Sequence, residues 1–191
     1  MRALTIDIET QNVFSDVNSN DPTDLDISVV GLHDSLTDEC RAYTIDNINE
    51  LWPIIERADS IITWNGEHFD IPLLNKYYPG NIANIKQIDL MKEVQNVIGR
   101  RLKLDSVAEA TLGRKKIGNG LDAIEWWKSG EIDKIIKYCL EDVRLTRSLY
   151  DIAEKNGHLK YKEFGVLKEA KIDTSKWQNA NEAVMTFTLP F

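Results

Sequence analysis

The chain has 191 residues, 42% hydrophobic and 28% charged, a balance that predicts one globular domain with a full core and a small appendage. No run of about 18 apolar residues occurs, which excludes a membrane-spanning helix, and two cysteines, Cys40 and Cys139, make neither a disulfide framework nor a zinc site. A net charge of −8 lacks the basic excess common in nucleic-acid binders, so any such function must rest on local positive charge.

The N-terminus enters a strand at once, so no signal peptide is expected and a reducing cytoplasm is the expected compartment. In Leu4-Thr5-Ile6-Asp7-Ile8-Glu9-Thr10, apolar and polar residues alternate with the period of a strand. That period sets Asp7 and Glu9 on one face. Two neighbouring carboxylates repel each other and are costly to desolvate unless a cation lies between them. Hard oxygen ligands of this kind suit Mg²⁺ or Mn²⁺. An isolated Asp-x-Glu is most often a solvated acidic face, and two later stretches reverse that reading.

Asn12 to Asp26, rich in Asn, Asp and Ser, reads as a loop. Ile27 to Leu32 and Arg41 to Ile45 read as strands of an antiparallel meander, with a polar turn around Asp34 to Glu39. Ile48, Leu51, Trp52, Ile55 and Ala58 follow helical spacing, capped by Asp46 or Asn47, with Pro53 moving the regular helix start to near Glu50. Ser60 to Trp64 reads as a buried parallel strand. Asn65 to Asp70 is a turn into a helix whose first turn holds Pro72, and Ile85 to Leu90 is a last short strand. Leu104 to Leu112, stopped by Gly113, and Leu121 to Lys128 are helices. Glu131 to Lys155 is the longest helical pattern, with Ile135, Cys139, Val143, Thr146, Leu149 and Ala153 in its buried stripe and Gly157 ending it. Leu159 to Tyr161 and Val166-Leu167 read as the start of a hairpin. The whole implies an α/β domain with a mixed central sheet, its first three strands antiparallel and the later ones parallel, flanked by helices.

Asp70 at a helix start reads first as an N-cap, and Asn65 as a partner for backbone groups of its turn. Tyr138 and Asp142 stand four residues apart on the long helix, on one face at the margin of the apolar stripe. In this order, Asp-x-Glu, then Asn-x-x-x-Phe-Asp, then Tyr-x-x-x-Asp resembles the DEDDy-type 3′–5′ exonucleases of the ribonuclease H-like fold. The chain is similar to the proofreading domains of family-B DNA polymerases and their stand-alone relatives. Asp7 and Glu9 match the first motif, Asn65, Phe69 and Asp70 the second, and Tyr138 and Asp142 the third. Ile88-Asp89-Leu90 resembles a strand these relatives carry between the second and third motifs. The likeness covers residues 1–155, expected as the exonuclease domain, and leaves 156–191 as a C-terminal extension, a hairpin or tail packed on the same domain.

The resemblance implies a two-metal phosphodiester hydrolase using Mg²⁺ or Mn²⁺, which acts on a single-stranded 3′ end and releases nucleoside 5′-monophosphates, with DNA favoured over RNA. It implies that Asp7 bridges both ions, that Glu9 and Asp142 hold the water-activating one, and that Asp70 helps to hold the other. Tyr138 then orients the attacking water rather than removing its proton, since a free phenol titrates near 10. Thr10, Asn65, Phe69, Arg114 and Lys115 are the expected substrate contacts. The last two belong to a basic cluster with Arg100, Arg101, Lys103 and Lys116.

His68, inside the second motif, reads as a surface or substrate-contacting residue. Trp126 and Trp127 suit base stacking, while Trp64 reads as core. The alternatives are an RNA-trimming exonuclease or an endonuclease on the same fold, and a nucleic-acid-binding module with a silent site. Thr186-Phe187-Thr188-Leu189-Pro190-Phe191 is expected to add an edge strand. Residues 186–191 also resemble sliding-clamp docking peptides, with Thr186 where those peptides carry glutamine.

Overall fold

The computed structural model describes residues 1–114 and 120–178. The expectations for Lys115, Lys116 and the 186–191 peptide lie outside the described residues. Five strands form the main sheet: β1 (Ala3–Thr10), β2 (Ile27–Asp34), β3 (Glu39–Thr44), β4 (Ser60–Thr63) and β5 (Lys86–Asp89), in the order β3-β2-β1-β4-β5. β1 to β3 pair antiparallel, while β4 is parallel to β1 and β5 to β4, as the alternation of elements predicts. The expected turn ends one residue earlier, at Asp38 in a left-handed conformation (φ 57°), and β3 begins at Glu39.

The pleat of β1 sorts its side chains between two cores. Leu4, Ile6 and Ile8 pack with Trp52, Ile55, Leu73 and Leu74 on one face. The helices on that face are α2 (Trp52–Ile55) and α3 (Asp70–Tyr77). Each fully buried leucine or isoleucine there contributes about 1.5–3 kcal/mol. Thr5, Asp7 and Glu9 alternate to the opposite face. The helices α4 (Leu90–Ile98), α5 (Leu104–Leu112), α6 (Gly120–Lys128) and α7 (Ile132–Asn156) supply the second and third apolar clusters. α7 lies against β2, which is buried along its whole length. Gly31 permits this approach, since a Cβ there would lie 2.8 Å from Cys139 Sγ and 2.9 Å from Val143 Cγ2.

Several local expectations change. The Asn12–Asp26 loop contains a one-turn helix, α1 (Phe14–Val17), and a 3₁₀ turn at Pro22–Asp24 whose Asp21 side chain accepts the Thr23 N–H. Before α2, a 3₁₀ segment runs from Ile45 to Leu51, because the Asn47 side chain accepts the Thr44 N–H at 2.8 Å and so closes the turn earlier than the Pro53 argument allows. α4 is absent from the sequence reading, which ends that region as a strand at Leu90. Asp89 ends β5 and caps α4 in one residue, so strand and helix share a boundary with no loop to mark it.

The hairpin β6 (His158–Glu163) and β7 (Val166–Lys171) forms a separate two-stranded sheet. Its Leu159, Tyr161 and Ala170 enter the same apolar cluster as α5 and α7. Trp177 stacks on Tyr150 at 4.9 Å and 16°. Residues 156–178 therefore share a core with the main domain.

Candidate active site

β4 pairs with only the first part of β1, Ala3 to Thr5, while β2 follows β1 to Thr10. Past Thr5 the pairing with β4 stops, at the carboxyl end of the sheet where the strand order switches, the place at which open α/β sheets bind ligands. Asp7 and Glu9 lie on β1 just beyond it. Potential ligand atoms of Asp7, Glu9 and Cys139 all lie within 4.8 Å of one another. Glu9 is buried and Asp7 half-buried. Thr10 is buried at a register shift in the strand, and its hydroxyl donates to Asn12 O at 2.8 Å.

α7 brings the third motif. Tyr138, Cys139 and Asp142 are all buried on its sheet-facing side. Cys139 Sγ contacts the Asp7 carbonyl oxygen at 3.3 Å and Asp7 Oδ2 at 3.6 Å. Burial, then the charges of Asp7, Glu9 and Asp142, push the Cys139 thiol well above its ordinary range. It therefore stays protonated and donates to Asp7, and a hard cation at this place takes the carboxylates rather than the sulfur. The sequence marks Cys139 only as part of the buried stripe, and no spacing signal ties it to Asp7.

Asp70 opens α3 after the turn from β4. Its carboxyl is almost fully buried and lies beside its own backbone N–H and that of Ile8, the residue between Asp7 and Glu9, and both donors favour its charged form. Burial chiefly, and then the charges of Asp89 and Asp142, push the Asp70 carboxyl up to about 7 despite those two donors. A carboxyl so placed is a poor anion alone and a good one beside a dication. Carboxylates from β1, α3 and α7 thus converge within electrostatic reach, and this donor set fits hard divalent ions.

The turn before Asp70 is held by Asp89, a residue that sequence reasoning places only on a strand. Its Oδ1 accepts the N–H of Asn65 (2.8 Å), Met91 (3.0 Å) and Lys92 (3.2 Å), and its Oδ2 accepts that of Glu67 (3.1 Å). Asn65 adopts φ 72°, and its Oδ1 is buried with no hydrogen-bond partner. Gly66 is required here because a Cβ would overlap the Thr63 side chain at 2.2–2.5 Å.

Phe69 packs edge-on against Phe14 at 6.3 Å, and His68 is exposed beside it. Two clefts, of about 470 and 510 Å³, flank Asn65; Arg101 lines both, Trp64 and Lys103 the first, and His68 and Lys92 the second. Trp64 donates its indole N–H to Leu102 O at 3.3 Å and also packs in the core. A third cleft, of about 240 Å³, is lined by Tyr138, Trp126, Lys134, Lys137 and Arg144. Tyr138 meets Trp126 edge to face at 5.9 Å, and Trp127 packs on the same cluster. Arg114 is exposed just beyond α5.

A family model of the RNase H superfamily matches residues 4–154, the stretch that holds β1 to α7 and every carboxylate above. The chain belongs to the RNase H superfamily. Among curated proteins nothing matches the chain. As an RNase H-superfamily member it carries a nuclease domain that cleaves nucleic acid with divalent metal, in keeping with the acidic cluster on β1. No helix among the described residues is long and apolar enough to cross a membrane.

Proposed function

We propose that this RNase H-superfamily domain is a DEDDy-type 3′–5′ exonuclease that removes nucleoside 5′-monophosphates from single-stranded DNA ends. The observation that carries the reading is the convergence of the Asp70 carboxyl, buried at the start of α3 beside Ile8, on the acids of β1. It joins the second motif to the strand of Asp7 and Glu9, with Asp142 in reach from α7. Asp7, Glu9, Asp70 and Asp142 are the residues to hold two divalent ions, Mg²⁺ or Mn²⁺. When bound, these ions supply charge neutralisation and an activated water. Tyr138, one helical turn before Asp142, positions that water through its hydroxyl. The Asn65–Phe69 turn and Thr10 position the terminal nucleotide. The basic side chains Arg101, Arg114 and Lys115 neutralise backbone phosphates, which explains how a chain of net charge −8 handles a polyanion. We assign residues 1–155 to the nuclease domain and 156–191 to an extension, in a reducing cytoplasm that suits two free cysteines.

The test is degradation of 5′-labelled DNA and RNA oligomers, single-stranded and duplex, with Mg²⁺, Mn²⁺ or EDTA. A metal-dependent ladder shortening from the 3′ end of single-stranded DNA is the expected result. Internal cuts identify an endonuclease, faster loss of RNA an RNA-trimming enzyme, and metal-independent binding without cleavage a silent module. Each of these outcomes overturns the reading.

A further inference from the structure

The β6–β7 hairpin lies beyond the residues that match the family, and its tip is built against stability. Glu163 pairs with Val166, so the connecting turn is Phe164-Gly165, with φ 50° and 79°. Two-residue turns with positive φ at both positions favour Asn-Gly, and a bulky aromatic in the first place is disfavoured. Phe164 is moreover 100% exposed, and the adjacent Val166 and Leu167 are 59% and 53% exposed. Both the conformation and the exposure carry a free-energy cost, and the ring adds nothing to the core. Strain and exposed apolar surface together in one residue point to use rather than to folding.

The tip is held firmly. The Thr111 hydroxyl accepts the Lys160 N–H at 2.9 Å and donates to the Lys160 carbonyl at 3.1 Å, while Leu159, Tyr161 and Ala170 are buried. Its surroundings are basic. Glu163 meets both Arg100, at 3.5 Å, and Lys168, so two cations face one carboxylate. Arg100 precedes Arg101, which lines both clefts beside Asn65. Arg100 thus stands beside the aromatic tip and its chain neighbour Arg101 beside the Asn65 clefts. A patch of three apolar residues is far too small for a stable protein partner, which needs about 800 Å² per side. One ring flanked by cations suits a base and its neighbouring phosphates.

We propose that the hairpin tip is a base-stacking platform for single-stranded nucleic acid. Phe164 stacks on a base upstream of the hydrolysed end, and Arg100 and Arg101 neutralise the phosphates between. The proposal rests on the nuclease reading and adds a second contact that holds longer substrates. Stacking is tolerant of sequence, so the platform lengthens the grip without selecting bases.

The experiment compares wild type, Phe164→Asn and Phe164→Trp for binding of fluorescein-labelled dT20 and dT4 in EDTA, and for hydrolysis of dT4 with Mg²⁺. Phe164→Asn is expected to weaken dT20 binding about 5- to 150-fold, with little effect on dT4 binding or hydrolysis. Its melting temperature stays level or rises because Asn suits the turn. Phe164→Trp retains dT20 binding. If Phe164→Asn binds dT20 as wild type does, the platform is overturned while the nuclease reading stands. If wild type neither binds nor cuts any oligomer, that reading fails and the platform with it. If wild type is a dimer that Phe164→Asn dissociates, a second copy covers the tip and the proposal is wrong.

Discussion

The buried Asp89 carboxylate accepts the backbone N–H of Asn65 at 2.8 Å. Through three further amides it pins the second-motif turn to the start of α4, so one side chain sets where the Asn65 and Asp70 side chains project. Asp89→Asn turns one acceptor oxygen into a donor that opposes an N–H. Charged hydrogen bonds of this kind contribute about 1.5–3 kcal/mol, so melting temperature should fall by roughly 3–10 °C. Activity should fall about 10–100-fold, the usual cost of removing a group that orients ligands. Calorimetry and kcat/KM on one oligomer check both, and an unchanged kcat/KM would make Asp89 purely structural.

Gly31 sets the distance between β2 and α7, and hence where Asp142 stands. Gly31→Ala should destabilise the fold by about 1–3 kcal/mol through overpacking and reduce activity by shifting the third motif. Because the nearest atom is Cys139 Sγ at 2.8 Å, Cys139→Ala in the same chain should recover part of the loss. Denaturant midpoints of the two single variants and the double variant measure this coupling. Strict additivity would place the strain elsewhere.

The Asp70 carboxyl titrates at about 7 in the folded chain against 3.8 when unfolded. Between those values the folded state binds more protons. Metal-free stability therefore falls as pH rises through this window, by on the order of 2–4 kcal/mol in all. Thermal melts in EDTA should be highest near pH 5 and lower at pH 8, and Asp70→Asn should flatten the profile. Divalent ions bind the ionised form, so the gain in melting temperature on adding Mg²⁺ should grow with pH up to about 7. A Mg²⁺ effect larger at pH 5.5 than at pH 7.5 would contradict this sign.

Asp7→Ala should abolish cleavage while leaving the fold intact, because removing one charge from the cluster relieves repulsion in the metal-free state. Tyr138→Phe keeps the ring packed against Trp126 and removes only the hydroxyl. Single-turnover hydrolysis should slow about 10²–10⁴-fold with metal-induced stabilisation retained. A wild-type rate in either variant would remove that residue from the proposed machinery.

The sequence makes the central strand and the long helix legible because each carries a clean period. Leu4, Ile6 and Ile8 alternate with polar residues, and the α7 stripe repeats over about five turns. The mixed sheet follows from the order of these elements. What stays hidden depends on contacts distant in sequence. Asp89 looks like a strand end until the amides of Asn65 and Glu67 fold back on it. Gly31 looks like a weak point in a strand until α7 lies across it. Cys139 looks like one more apolar residue until its sulfur meets Asp7.

The Ile8 amide turns this site into its own reporter. Its N–H lies beside the Asp70 carboxyl, which burial pushes up to about 7. Proton uptake at Asp70 weakens that acceptor, and cation capture draws its electrons away. The ¹⁵N–¹H resonance of Ile8 should therefore move with both events, and its hydrogen–deuterium exchange should quicken on acidification relative to its neighbours. NMR titration of this one amide follows loading of the site with no nucleic acid present and no turnover to confuse it.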